Sequence, residues 1–146
     1  MLVKNPKYVL LDQAQRIAPE ILESDSGLPC IAIFGFSDKP QYDAFCQHSP
    51  LALTPYPLVK GYLRGRLADA GDATLVVVVD APGPDESVLY ASTMQTVLEA
   101  HENECPQAVV THRLTKNDRS AAYHIEAIGP DVSLQSQSSP SKAAQI

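Results

Sequence analysis

The chain has 146 residues, 45% of them apolar and 19% charged, with a net charge of −6 from 17 acidic against 11 basic side chains. This is the length of one domain with a single core, and the composition excludes wholesale disorder. The acidic balance argues against sequence-independent binding to nucleic acid, which depends on neutralising phosphates with Lys and Arg, and no apolar run approaches the roughly 18 to 20 residues that cross a bilayer.

The N-terminus, Met1 to Lys7, lacks the apolar core of a signal peptide, so the expectation is a soluble, cytoplasmic protein. Three well-separated cysteines, Cys30, Cys46 and Cys105, fit reduced thiols better than a disulfide framework. Cys30 and Cys46 fall on apolar stretches, where cysteine acts as a small hydrophobe, and Cys105 falls at a helix-to-strand corner.

In chain order, Lys7 to Leu11 reads as a short strand and Asp12 as the cap of a helix through Ala14, Arg16 and Ile17. Pro19 breaks that helix and starts a new turn through Glu23, followed by a loop at Ser24 to Gly27. Cys30 to Phe34 is apolar without alternation, the pattern of a strand buried on both faces. A loop with Ser37 or Asp38 as cap leads to a helix over 40 to 48, whose apolar face is Tyr42, Phe45 and Cys46. Leu51 to Thr54 is a candidate strand bounded by Pro55 and Pro57. Leu58, Val59, Tyr62, Leu63 and Leu67 form the stripe of a helix over 58 to 69, in which Gly61 and Gly65 either permit close packing or sit on a solvated face.

Thr74-Leu75-Val76-Val77-Val78-Val79-Asp80 is the clearest strand in the chain, a doubly buried run that ends in a carboxylate. After a turn-rich loop, Val88, Leu89, Ala91, Met94, Val97 and Leu98 recur at helical spacing, which predicts one helix over 88 to 101. Gln107 to His112 reads as a strand, Leu114 to Ser120 as a polar loop, and Ala121 to Ile128 as an alternating edge strand. Residues 133 to 146 are polar and low in complexity, so they form a disordered tail after a single α/β domain over 1 to 132.

Strands alternating with helices predict an α/β three-layer sandwich around a mostly parallel sheet of four to five strands, flavodoxin- or receiver-like, with the last strand free to run antiparallel. A ferredoxin-like α+β fold is the alternative if 50 to 57 is loop. In an open parallel sheet, ligands bind outside the carboxyl ends of the strands. That edge gathers Gly35 to Lys39 (with Ser37), Thr54 to Tyr56, Asp80 to Glu86 and Thr111 to Arg113 (with His112). Asp80 is the sharpest candidate, either a general base or ligand group or a structural cap, and His112 is the second catalytic candidate. Lys39 and Ser37 before a helix, with Thr111 and Arg113, are the candidate ligand-binding set for a small anion. His101 and Cys105 lack the second pair that a zinc site needs, so no metal or cofactor is read.

Asp80 and Thr111, each ending a predicted strand, resemble the aspartate and the Thr or Ser of the response-regulator receiver domain. The sequence departs from that pattern at Phe34-Gly35-Phe36-Ser37-Asp38, where receivers carry an acidic pair, and at Ile128-Gly129-Pro130, where they carry Lys-Pro. The resemblance implies a receiver-shaped domain that is not phosphorylated in the usual way. The leading functional expectation is a non-catalytic regulatory or protein-interaction domain, working as a homo-oligomer through an apolar helix face or with a protein partner. The alternative is an enzyme or binding protein for a small anion, using Asp80, His112 and Arg113.

Overall fold

The computed structural model describes residues 1–22 and 29–128. The predicted loop at 24–27 and the tail at 133–146 lie outside them. Within them, strands β1 (Leu2–Lys4), β2 (Tyr8–Asp12), β3 (Gln15–Arg16) and β4 (Cys30–Gly35) precede helix α1 (Lys39–Gln47). Strand β5 (Thr54–Pro57), helix α2 (Lys60–Ala68), strands β6 (Thr74–Val79) and β7 (Val88–Thr93) and helix α3 (Met94–Glu102) follow, and then β8 (Gln107–Val109), β9 (His112–Lys116) and β10 (Tyr123–Ala127).

The main sheet has five strands in the order β10-β9-β7-β6-β4. Only β4 and β6 run parallel; the pairs β6 with β7, β7 with β9, and β9 with β10 are antiparallel. The parallel three-layer sandwich is therefore wrong. The doubly buried strands were legible, but burial on both faces does not require parallel neighbours. Along β6, Val76 and Val78 belong to one core cluster with Phe34, Phe45 and Leu114, whereas Leu75, Val77 and Val79 belong to another with Leu63, Val97 and Leu98. The ferredoxin-like alternative fails as well, because Thr54–Pro57 is a strand, paired with β2 in a separate three-stranded sheet.

Four local readings change for identifiable reasons. Gln13 has φ 59, so the chain turns at Gln13-Ala14 and returns as β3 against β2 instead of entering a helix after Asp12. The predicted helix over 88–101 divides at Thr93, which is extended (φ −62, ψ 151) and caps α3 by accepting a hydrogen bond from the Thr96 N–H. Before it, Leu89 and Ala91 alternate into the core as strand residues. The predicted strand over 107–112 breaks at Val110-Thr111 into β8, paired with β1, and β9, paired with β7. Of the predicted polar loop from Leu114 to Ser120, Leu114 to Lys116 is the second half of β9, in which Leu114 alone turns inward, while 117–120 is the turn before β10.

Proline at Pro55 and Pro57 is compatible with β5 because of register. Lys7 O accepts from Leu58 N–H, and Tyr8 pairs with Pro57 and Leu10 with Pro55, so both prolines sit where an N–H points away from β2. The outer edge of this strand therefore lacks donors at those two positions, and strand addition there is disfavoured.

The segment after β3 reaches both edges of the main sheet. Phe34 N–H in β4 donates to Ile17 O at 3.1 Å; Tyr123 N–H in β10 donates to Glu20 O at 2.8 Å, and Leu22 N–H donates back to Tyr123 O at 2.9 Å. On a flat five-stranded sheet, partners beyond opposite edges lie about 29 Å apart, yet Ile17 and Ile21 are at most about 14 Å apart along a chain. The sheet is consequently curled, and residues 17 to 22 strap its edges around an interior containing Phe34, Leu89, Leu114 and Tyr123.

Glycines test the packing in opposite directions. A Cβ on Gly35 would collide with Val77 Cγ1 and lie 3.1 Å from Pro6 Cβ, whereas one on Gly65 meets nothing within 4 Å, so Gly65 sits on the solvated face. Urea denaturation should therefore show Gly35→Ala less stable by about 1–3 kcal/mol and Gly65→Ala more stable by about 0.5–1 kcal/mol.

Candidate functional site

The parallel pair β4 and β6 brings Gly35 and Val79 side by side, and Asp80 N–H continues the ladder to Gly35 O at 2.9 Å. Asp80 then takes φ 54, a left-handed conformation that aspartate tolerates better than most residues. Its carboxylate accepts the Ser37 N–H at 2.8 Å and the Ser37 hydroxyl at 2.7 Å. Ser37 is 7% exposed, so these bonds satisfy donors that water scarcely reaches. Asp80 thus ties the loop before α1 to the end of β6. Asp38 caps that helix by accepting from Lys39 N–H at 2.8 Å.

The other predicted site residues lie elsewhere. Lys39 Nζ pairs with Asp43 at 2.7 Å on the outer face of α1, with side chains 69% and 47% exposed. Register places His112 beside Ala91, itself beside Val78, so its backbone lies on the order of 12 Å from Asp80, two strands across and two residues along. Thr111 Oγ1 accepts the Thr93 N–H at 3.0 Å and lies 2.9 Å from His112 Nδ1. Arg113 follows His112 in a strand and so faces the opposite side of the sheet, where its Nε donates to Glu126 at 2.9 Å. Asp80, Lys39, Thr111, His112 and Arg113 do not converge. Among the described residues, no three His, Cys, Asp or Glu side chains group to hold a metal.

All three cysteines are free; Cys30 and Cys46 are half-buried, and burial raises the pKa of both thiols, while Cys105 is exposed between α3 and β8. His101, in the last turn of α3, hydrogen-bonds through Nε2 to Pro6 O at 2.8 Å and anchors the N-terminal strand.

The concavity that the sequence reading missed lies where the strap meets the loops after α1 and β6. It is an open groove of about 570 Å³. Phe34 and Phe45, 4% and 2% exposed with ring centroids 5.0 Å apart, line its interior side together with Ile17 and Leu53. Asp12, Arg16, Ser49, Leu51 and Asp85 also line it. Phe34 and Phe45 read as core from sequence because they are core; only the position of residues 49–53 and 84–85 leaves a cleft beside them. A shallower polar recess of about 330 Å³ is formed by Lys116, Asn117, Arg119 and His124 at the β9–β10 hairpin.

No known protein family, characterised protein or solved structure matches this chain.

Two substitutions separate structural from chemical roles. Asp80→Ala should cost about 2–4 kcal/mol in chemical denaturation, from two lost hydrogen bonds and a left-handed alanine, while Asp80→Asn should cost about 1 kcal/mol or less. Burial pushes His112 below its ordinary pKa of 6.5. The unfolded chain therefore takes up the proton first, so this contribution to stability is complete above 6.5 and is lost as the pH falls through the lower, folded-state value. The urea midpoint should decline below pH 6.5 more steeply in the wild type than in His112→Gln.

Proposed function

We propose that this protein is a non-catalytic regulatory or protein-interaction domain, acting in the cytoplasm by recognition at the groove beside Ile17, Phe34 and Phe45. The observation that supports it most is the commitment of both Asp80 carboxylate oxygens to Ser37, which gives the centre of the enzymatic reading a structural task. Free thiols at all three cysteines fit the reducing compartment. Among the described residues no helix is long and apolar enough to cross a membrane.

A homo-oligomer or protein complex would not use the apolar stripes of α2 and α3, since Leu63, Val97 and Leu98 are packed into the core. Exposed apolar side chains among the described residues include Leu51 on the groove wall and, away from it, Met1, Leu2, Ile31, Tyr56, Val59 and Val88. Partner contact at Tyr56 rests on side chains, because Pro55 and Pro57 disfavour pairing with the β5 edge.

Titration of the ¹⁵N-labelled protein with neutral aromatic fragments, and separately with phosphate and citrate, tests this reading. Fragments should perturb the amides of Ile17, Ala18, Leu51 and Leu53. Anion-induced shifts centred on Ser37, Lys39 and Thr111 to Arg113, with none in the groove, would contradict it.

A further inference from the structure

We propose that the face of α2 turned toward the three-stranded sheet holds a small phosphate-class dianion between Arg16 and Arg66. The site lies on the opposite face of that sheet from the groove and does not depend on the groove. Strand alternation separates the two. The Arg16 side chain shares a face with its strand partner Leu11, which packs with Tyr62 against Leu63 and Val97. Ile17 and Leu10, on the other face, pack around Phe34 beside the groove. The Arg16 guanidinium accordingly stacks on Tyr62, with Cζ 3.7 Å from the ring centroid. Asp12 follows Leu11 in β2 and so faces away from it.

Arg66 follows Tyr62 by one helical turn, which places their Cβ atoms about 5–6 Å apart on one face of α2. It is half-buried there, while Arg64 and Gly65 beside it are exposed. Two guanidinia therefore gather about one ring. The Nε of each is buried from solvent and has no hydrogen-bond partner. Among the described residues, the four ion pairs include neither arginine. The charges on α2 itself are all basic, Lys60, Arg64 and Arg66, and only Arg64 is held, by Glu102 at 3.0 Å. In a chain with 17 acidic against 11 basic side chains, two neighbouring arginines without a carboxylate leave charged donors for an outside acceptor. A phosphate dianion fits that vacancy in charge and in chemistry: it neutralises both guanidinia and offers several oxygens to their forked N–H groups, whereas a monocarboxylate neutralises one.

Inorganic phosphate is the probe, titrated into the full ¹⁵N-labelled chain slightly above neutral pH with ionic strength held constant by sodium chloride. The Nε–H resonances of Arg16 and Arg66 should both shift, with one shared dissociation constant on the order of 1 mM. Acetate should bind at least about tenfold more weakly. Arg66→Gln should weaken phosphate binding about tenfold and leave the response of the groove amides to neutral fragments unchanged. Arg66→Lys keeps the charge and loses the fork, so it should weaken binding about threefold, and it serves if the glutamine variant does not fold. A phosphate response at only one of the two arginines, equal binding of acetate, or unchanged affinity in the Arg66 variants overturns the assignment.

Discussion

The structure depends on one short backbone segment hydrogen-bonding to both edges of the main sheet. Ile17 O receives Phe34 N–H from β4, and Glu20 O receives Tyr123 N–H from β10. A strap this short can satisfy both edges only if the sheet curls, and the curl turns one face into an enclosed interior. Tyr123, 2% exposed, fixes the far side of that interior; its hydroxyl donates to Glu86 O and holds the loop after β6. The groove follows from the same closure. Ile17 begins the strap, Phe34 is its bonding partner, and Pro84 and Asp85 lie next to the residue that Tyr123 holds.

The second organising element is β6, whose five apolar residues Leu75 to Val79 divide between two clusters by the alternation of a strand. Val76, Val77 and Val78 are each 0% exposed, so neither face tolerates a polar group. Where the run ends at Asp80, the chain needs a polar residue that accepts a left-handed backbone and offers acceptors to buried donors, and aspartate does both. The carboxylate that ends this apolar strand has a structural role, tying the loop before α1 to the end of β6.

The sequence made some elements legible and hid others for physical reasons. Strands β4 and β6, helices α1 and α2 and the edge strand β10 emerge from runs and stripes dominated by a single period. Residues 88 to 101 carry two periods in succession, and the helical one, supported by Met94, Val97 and Leu98, masks the alternation of Leu89 and Ala91. The Thr93-to-Thr96 cap was the available signal for the boundary. Strand β9 offers only Leu114 to the core, too little for a pattern. The site reading inherited the parallel topology: it placed Thr111 and His112 at a carboxyl edge, whereas Thr111 precedes β9 and His112 begins it, and consecutive strand residues send His112 and Arg113 to opposite faces. The groove was not legible because its aromatic lining also belongs to the core, and it opens only through tertiary placement of loops distant in sequence.

Hydrogen exchange at three amides tests the closure of the sheet most directly. If residues 17 to 22 strap both edges, the N–H groups of Phe34, Leu22 and Tyr123 exchange slowly, in step with global unfolding, although two of them belong to strands at the edges of the five-stranded sheet. Fast exchange at Phe34 and Tyr123, with the amides of Val76 to Val78 still protected, would mean open edges and a flat sheet, and would contradict the account.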